Sequence, residues 1–67
     1  MVDTDRLRGL MAQNRLSQGE VAQYMGISPA TLSRKMQSGV FNTNECEKLI
    51  TLLKIKDPTI FFKNMVN

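Results

Sequence analysis

Arg34 and Lys35 lie in the stretch PATLSRKMQS, among the small side chains Pro29, Ala30, Thr31 and Ser33 and close behind the glycine of MGIS. Such a segment offers hydrogen-bond donors and two positive charges on sterically open ground. It is either an ordinary solvated helix face or one shaped to slide into something narrow and negatively charged. Reaction chemistry is poorly provided for elsewhere. The chain has no histidine, so hydrolytic triads, imidazole acid–base steps and histidine metal sites are absent. Its one cysteine, Cys46, can close no disulfide within the chain and has no companions for a zinc site. It falls on the apolar side of a predicted helix, where a small core residue is expected. The six carboxylates, Asp3, Asp5, Glu20, Glu45, Glu47 and Asp57, each stand near a predicted helix start, where the helix dipole favours negative charge. No enzyme, metal or cofactor is expected.

Nine Lys and Arg against six Asp and Glu leave a net charge of +3 and a pI near 9.4. That balance favours a polyanionic partner without requiring one. Sixty-seven residues hold one domain, 1–67, which buries only about 60% of the surface its unfolded form exposes. No apolar run nears the roughly 20 residues that span a bilayer, and MVDTDRLRGL lacks the apolar segment of a signal peptide. A cytoplasmic protein with no membrane partner and no small-molecule ligand is expected. No effector domain is expected in so short a chain, and control through its concentration is expected instead.

The elements that position Arg34 are read from caps and periodicity. Five short helices are predicted, about 4–13, 18–25, 29–37, 43–54 and 58–64, and no strand, since period-2 alternation is missing. Asp3 or Thr4 caps the first helix, whose Leu7, Leu10 and Met11 share a face. Ser17-x-x-Glu20 and Asn42-x-x-Glu45 are capping boxes. Ser28 caps the third helix with Pro29 at its first position, and Gly26 and Gly39 suit left-handed helix ends. Cys46, Leu49, Ile50 and Leu53 form the clearest apolar stripe. Asp57-Pro58 opens a fifth helix carrying Ile60, Phe61, Phe62 and Met65.

Helices two and three are separated only by Gly26-Ile27-Ser28, too short a link for side-by-side antiparallel packing. It favours the steep crossing of a helix-turn-helix. Ala22 permits close approach, Ile27 plugs the core beneath the turn, and Leu32 pins the outer helix. A turn of this kind also occurs in helical domains that bind protein.

The stretch LSQGEVAQYMGISPATLSRKMQSG resembles the helix-turn-helix of small phage-type repressors and Cro-like regulators, the lambda repressor-like family. Leu16-Ser17-Gln18, Val21, Ala22, Met25-Gly26-Ile27-Ser28 and Leu32 carry the likeness. Phe41-Asn42, CEKLITLLKI and PTIFF are similar to short Cro-like proteins of Gram-positive prophages. The resemblance, from about Leu7 to Phe62, implies a five-helix domain that binds operator DNA, usually as a dimer. It also implies a phosphate contact for Gln18. One departure stands out: the family usually buries an apolar side chain where this chain has Lys35, leaving Met36 as the candidate anchor.

The physical case agrees with that implication. The major groove, about 12 Å wide, admits one α-helix if its leading side chains are small or hydrogen-bonding. Pro29, Ala30, Thr31, Ser33 and Arg34 meet that demand. Arg34 is the expected base reader, since a guanidinium can bridge guanine O6 and N7. Ala30 or the Thr31 methyl can meet a thymine methyl. Arg15, Lys35, Gln37 and Asn42 join Gln18 as expected phosphate contacts, while Lys48, Lys54, Lys56 and Lys63 read as solvated. Either Phe61 or Phe62 closes the core, and the other, with Met65, forms a candidate dimer contact. A dimeric regulator on a palindromic operator is the leading expectation. The alternative is an antirepressor-type protein of the same fold that binds a partner repressor.

Overall fold

Four α-helices form where the caps place them: α1 (Thr4–Gln13), α2 (Gln18–Met25), α3 (Pro29–Ser38) and α4 (Thr43–Leu53). They are seen in a computed structural model that describes residues 1–62, with Phe62 described by its backbone alone. Each helix starts on a side-chain oxygen that accepts the backbone N–H three residues on: Asp3 for Arg6, Ser17 for Glu20, Ser28 for Thr31 and Asn42 for Glu45. Both capping boxes are complete. Glu20 returns a bond to the Ser17 N–H at 3.0 Å, and Glu45 accepts the Asn42 N–H at 2.9 Å.

The residues flanking these caps explain how such short helices hold together. An apolar residue just before each cap pairs in register with one four positions into the helix: Val2 with Leu7, Leu16 with Val21, Ile27 with Leu32, Phe41 with Cys46. All eight belong to the core or pack against it, the arrangement of a hydrophobic staple. Leu16 and Ile27 also close the preceding helix. The Leu16 N–H donates to Met11 and the Ile27 N–H to Ala22, both at 3.0 Å or less, and Ile55 does the same to Ile50. Each bond spans a left-handed residue, Arg15, Gly26 or Lys54, as Schellman ends require. Leu16 and Ile27 thus each end one helix and start the next.

α3 ends differently. Gly39 is left-handed at φ +72° and buried, and its carbonyl accepts the Val2 N–H at 2.9 Å. The next residue, Asp3, donates its N–H to Ile60 at 2.6 Å. The N-terminal residues therefore tie the end of α3 to the C-terminal segment.

That segment corrects the predicted fifth helix. Pro58–Phe62 is a single 3₁₀ turn, and residues 63 and 64 of the prediction lie outside the described residues. Asp57 closes a local turn, accepting the N–H and hydroxyl of Thr59 at 3.1 and 2.6 Å, a side-chain bond that competes with helix. Ile60 and Phe61 still reach the core, 1% and 8% exposed. α4 stops at Leu53, one residue early, because Lys54 turns left-handed at φ +54°; α3 runs one residue further than expected, to Ser38. The core gathers Leu7, Met11, Val21, Ala22, Met25, Leu32, Met36, Leu49 and Leu53, and α2 packs most closely on α3. Among the described residues no helix is long and apolar enough to cross a membrane.

Candidate nucleic-acid interface

Leu32 and Met36 are buried and lock one side of α3 to the core. At 3.6 residues per turn, Arg34 lies about 180° around the helix from their midpoint. Arg34 is exposed, as are Ala30, Ser33 and Gln37. These four positions follow i, i+3, i+4, i+7 spacing and form one outward strip along α3. Pro29, also exposed, begins the helix beside this strip. The strip is small near the helix start and longer toward its end.

Thr31 is half-buried, off the centre of the strip. Its hydroxyl lies 2.8 Å from the Ser28 hydroxyl, and its N–H donates to the same oxygen at 3.1 Å. The polar end of Thr31 therefore serves the helix cap.

The expected phosphate contacts divide into two groups. Arg15 is exposed at the left-handed corner between α1 and α2, Gln18 occupies the first turn of α2, and Gln37 is exposed on α3. The other two meet at Glu45. Asn42 is exposed, but its side-chain oxygen accepts the Glu45 N–H at 2.8 Å. Lys35 sits about 80° from the buried midpoint of α3, on its flank, and its Nζ lies 3.0 Å from Glu45 Oε2. The two side chains are 27% and 12% exposed. A charge there cannot be buried unpaired at low cost, so the departure at Lys35 is met by a carboxylate rather than by apolar packing. Glu45 itself is the buried charged residue of the described chain. Burial is the largest influence and pushes its carboxyl up. The Asn42 N–H, the Lys35 hydrogen bond and charge, and the Lys48 charge outweigh it and hold the carboxyl below its ordinary value.

Some positions play parts that the sequence reading did not assign. Lys48, expected to be solvated, donates from Nζ to the Met25 carbonyl at 3.2 Å and so closes the C-terminus of α2 from α4. A basic side chain at a helix C-terminus is favourable, but this one arrives from 23 residues away, and no local pattern marks it. Val2, buried at the start of the chain, has a local mark, since an apolar residue directly before a cap signals a staple. Cys46, expected in the core, is half-buried against it, and burial followed by the Glu45 charge pushes its thiol up, away from reactive thiolate.

Of the expected dimer contacts, Phe61 is in the core. The side chain of Phe62 and all of Met65 lie outside the described residues. A groove of about 430 Å³ opens beside Phe61, with Val2, Phe41, Cys46 and Ile50 among its walls. Val40, 65% exposed, stands at its edge.

The chain matches the family described as "Antitoxin Xre-like helix-turn-helix domain" over residues 7–54. That span runs from α1 through the left-handed end of α4 and includes α2, the turn and α3. No curated protein and no solved structure matches the chain.

Proposed function

Because this chain belongs to the antitoxin Xre-like helix-turn-helix family, we propose that it is a Cro/repressor-type transcriptional regulator that binds a palindromic DNA operator as a dimer, with α3 in the major groove. The observation that carries the reading is the strip Ala30, Ser33, Arg34 and Gln37, exposed along α3 opposite its buried anchors. A helix entering a groove about 12 Å wide must carry such a strip. Arg34 reads a guanine through O6 and N7, and Ala30 meets a thymine methyl. Ser33 and Pro29 line the approach, and Thr31 adds only its methyl. Gln18, at the positive end of α2, takes a phosphate oxygen. Arg15, Gln37 and the amide nitrogen of Asn42 add further backbone contacts. Two copies place two such helices on half-sites one helical turn apart, about 34 Å.

The test is selection from a randomised duplex pool, followed by affinity measurements on selected and scrambled duplexes across a salt series. The reading expects enriched sequences with two-fold symmetry, at least 10³-fold weaker binding to scrambled DNA, and a log K that falls with log salt. Equal affinity for both duplexes, or a flat salt series, rules out a specific regulator.

A second reading is that the chain acts by binding a partner protein, such as another repressor. The apolar groove beside Phe61 and Val40 supports it, as does the word antitoxin in the family's description. A neighbouring regulator that forms no complex with this chain in mass measurements, while the chain alone shifts duplex DNA, excludes that reading.

A further inference from the structure

We propose that Lys35 is a positioning residue for α3, held by Glu45, and that its charge takes no part in contacting phosphate. The inference rests on the DNA-binding reading above and revises one of its expected contacts. Three observations support it. Lys35 lies on the flank of α3, between the buried anchors Leu32 and Met36 and the exposed strip. Its Nζ meets Glu45 Oε2 at 3.0 Å in a largely covered pair. Glu45 is itself fixed, because its other oxygen accepts the Asn42 N–H at 2.9 Å and its own N–H is held by Asn42 at 2.8 Å. The carboxylate thus stands on the rigid first turn of α4 and takes hold of the next helix back in the chain.

Leu32 and Met36 anchor one side of α3 and the Val2 N–H holds its end at Gly39, which leaves a small roll about the helix axis open. A bond on one flank restricts that roll. Arg34 is the direct neighbour of Lys35 in sequence, so a roll of α3 moves the guanidinium across the groove floor. A bidentate contact tolerates little such movement. Phosphate contact by Lys35 would require its ammonium to leave Glu45, stranding a nearly buried carboxylate, a costly exchange.

Two substitutions remove the pair from opposite ends. Lys35→Met keeps the length and apolar stem. Glu45→Gln keeps the capping box, which accepts glutamine at that position. Lys35→Arg is the conservative control, since a guanidinium can rejoin the carboxylate. The first measurement needs no DNA: backbone amide shifts of Ser33, Arg34 and Gln37 in the free protein. They move together in Lys35→Met and Glu45→Gln and stay near wild type in Lys35→Arg. Unmoved shifts in both pair-breaking variants overturn the proposal. The second measurement uses the duplex selected from the random pool, with single-base variants and a salt series. Both pair-breaking variants lose preference at the base read by Arg34 by about fivefold or more, the low end for one bidentate contact, and Lys35→Arg restores it. Their salt slopes equal that of wild type. A slope lowered by about 0.9 in Lys35→Met with base preference intact marks one lost phosphate contact and contradicts the proposal. Preference and slope both unchanged make the pair a stabilising contact only, which also overturns it. Wild-type protein that binds no duplex defeats the DNA reading instead, and the amide shifts still decide whether Glu45 positions α3.

Discussion

Replacing Gly39 by alanine tests how the end of α3 is built. Gly39 has φ +72°, where an L side chain costs roughly 1–2 kcal/mol. An added Cβ would lie 2.7 Å from Met1 Cγ and 3.3 Å from the Val2 carbonyl oxygen. The methionine side chain can swing aside. The carbonyl belongs to the backbone segment that caps α3, so it must give by a few tenths of an ångström. Alanine has fewer unfolded conformations than glycine, which offsets about 0.4–1 kcal/mol. With the clash added, the net loss is roughly 1–2 kcal/mol, against a total of about 3–10 kcal/mol for a domain of this size. At about 4–8 °C per kcal/mol, Tm falls by about 5–15 °C. Gly26→Ala is the internal control: its φ is +75°, but nothing lies within 4 Å of the added Cβ. It carries the backbone cost alone and melts above Gly39→Ala. The assay is far-UV circular dichroism on all three proteins. A Gly39→Ala variant that melts no lower than Gly26→Ala refutes the argument that the Val2 segment presses on this position.

Three further outcomes are expected. Arg34→Ala flattens preference at one base position, by about 1–3 kcal/mol, whereas Arg15→Ala weakens all duplexes alike and lowers the salt slope by about 0.9; a panel of duplex variants separates the two. Lys54→Gly relieves a left-handed lysine at φ +54° and raises stability by up to about 1 kcal/mol, read from urea unfolding. The pH dependence follows from Glu45, whose folded carboxyl titrates below its ordinary value. Its stabilising contribution is complete above the unfolded pKa, about 4.3, and disappears as pH falls through the lower folded value. The Tm gap between wild type and Glu45→Gln should therefore hold from neutral pH to about 5 and close in stronger acid.

What was legible in the sequence was local. Ser17 with Glu20 and Asn42 with Glu45 announced two helix starts because a capping box spans one turn, and Pro29 behind Ser28 announced a third. The alternation of buried Leu32 and Met36 with exposed Ala30, Ser33, Arg34 and Gln37 follows from the helical period alone. Tertiary partners are not legible along the chain. Glu45, which pairs with Lys35, lies a helix away, and the carbonyl that the exposed Lys48 meets belongs to Met25. Where a fifth helix is expected, a local choice decides: Asp57 can cap a helix or close a turn on Thr59, and here it closes the turn, with a 3₁₀ segment from Pro58.

The outward strip of α3 meeting DNA is the claim on which the account depends. The most direct measurement is amide shift perturbation in the full chain as the selected duplex is added. The largest changes are expected at Ala30, Ser33, Arg34 and Gln37, with a second group at Gln18 and Arg15, and small changes around Cys46 and Ile50. Changes concentrated around Val40, Cys46 and Ile50, with the α3 strip unmoved, would contradict that claim.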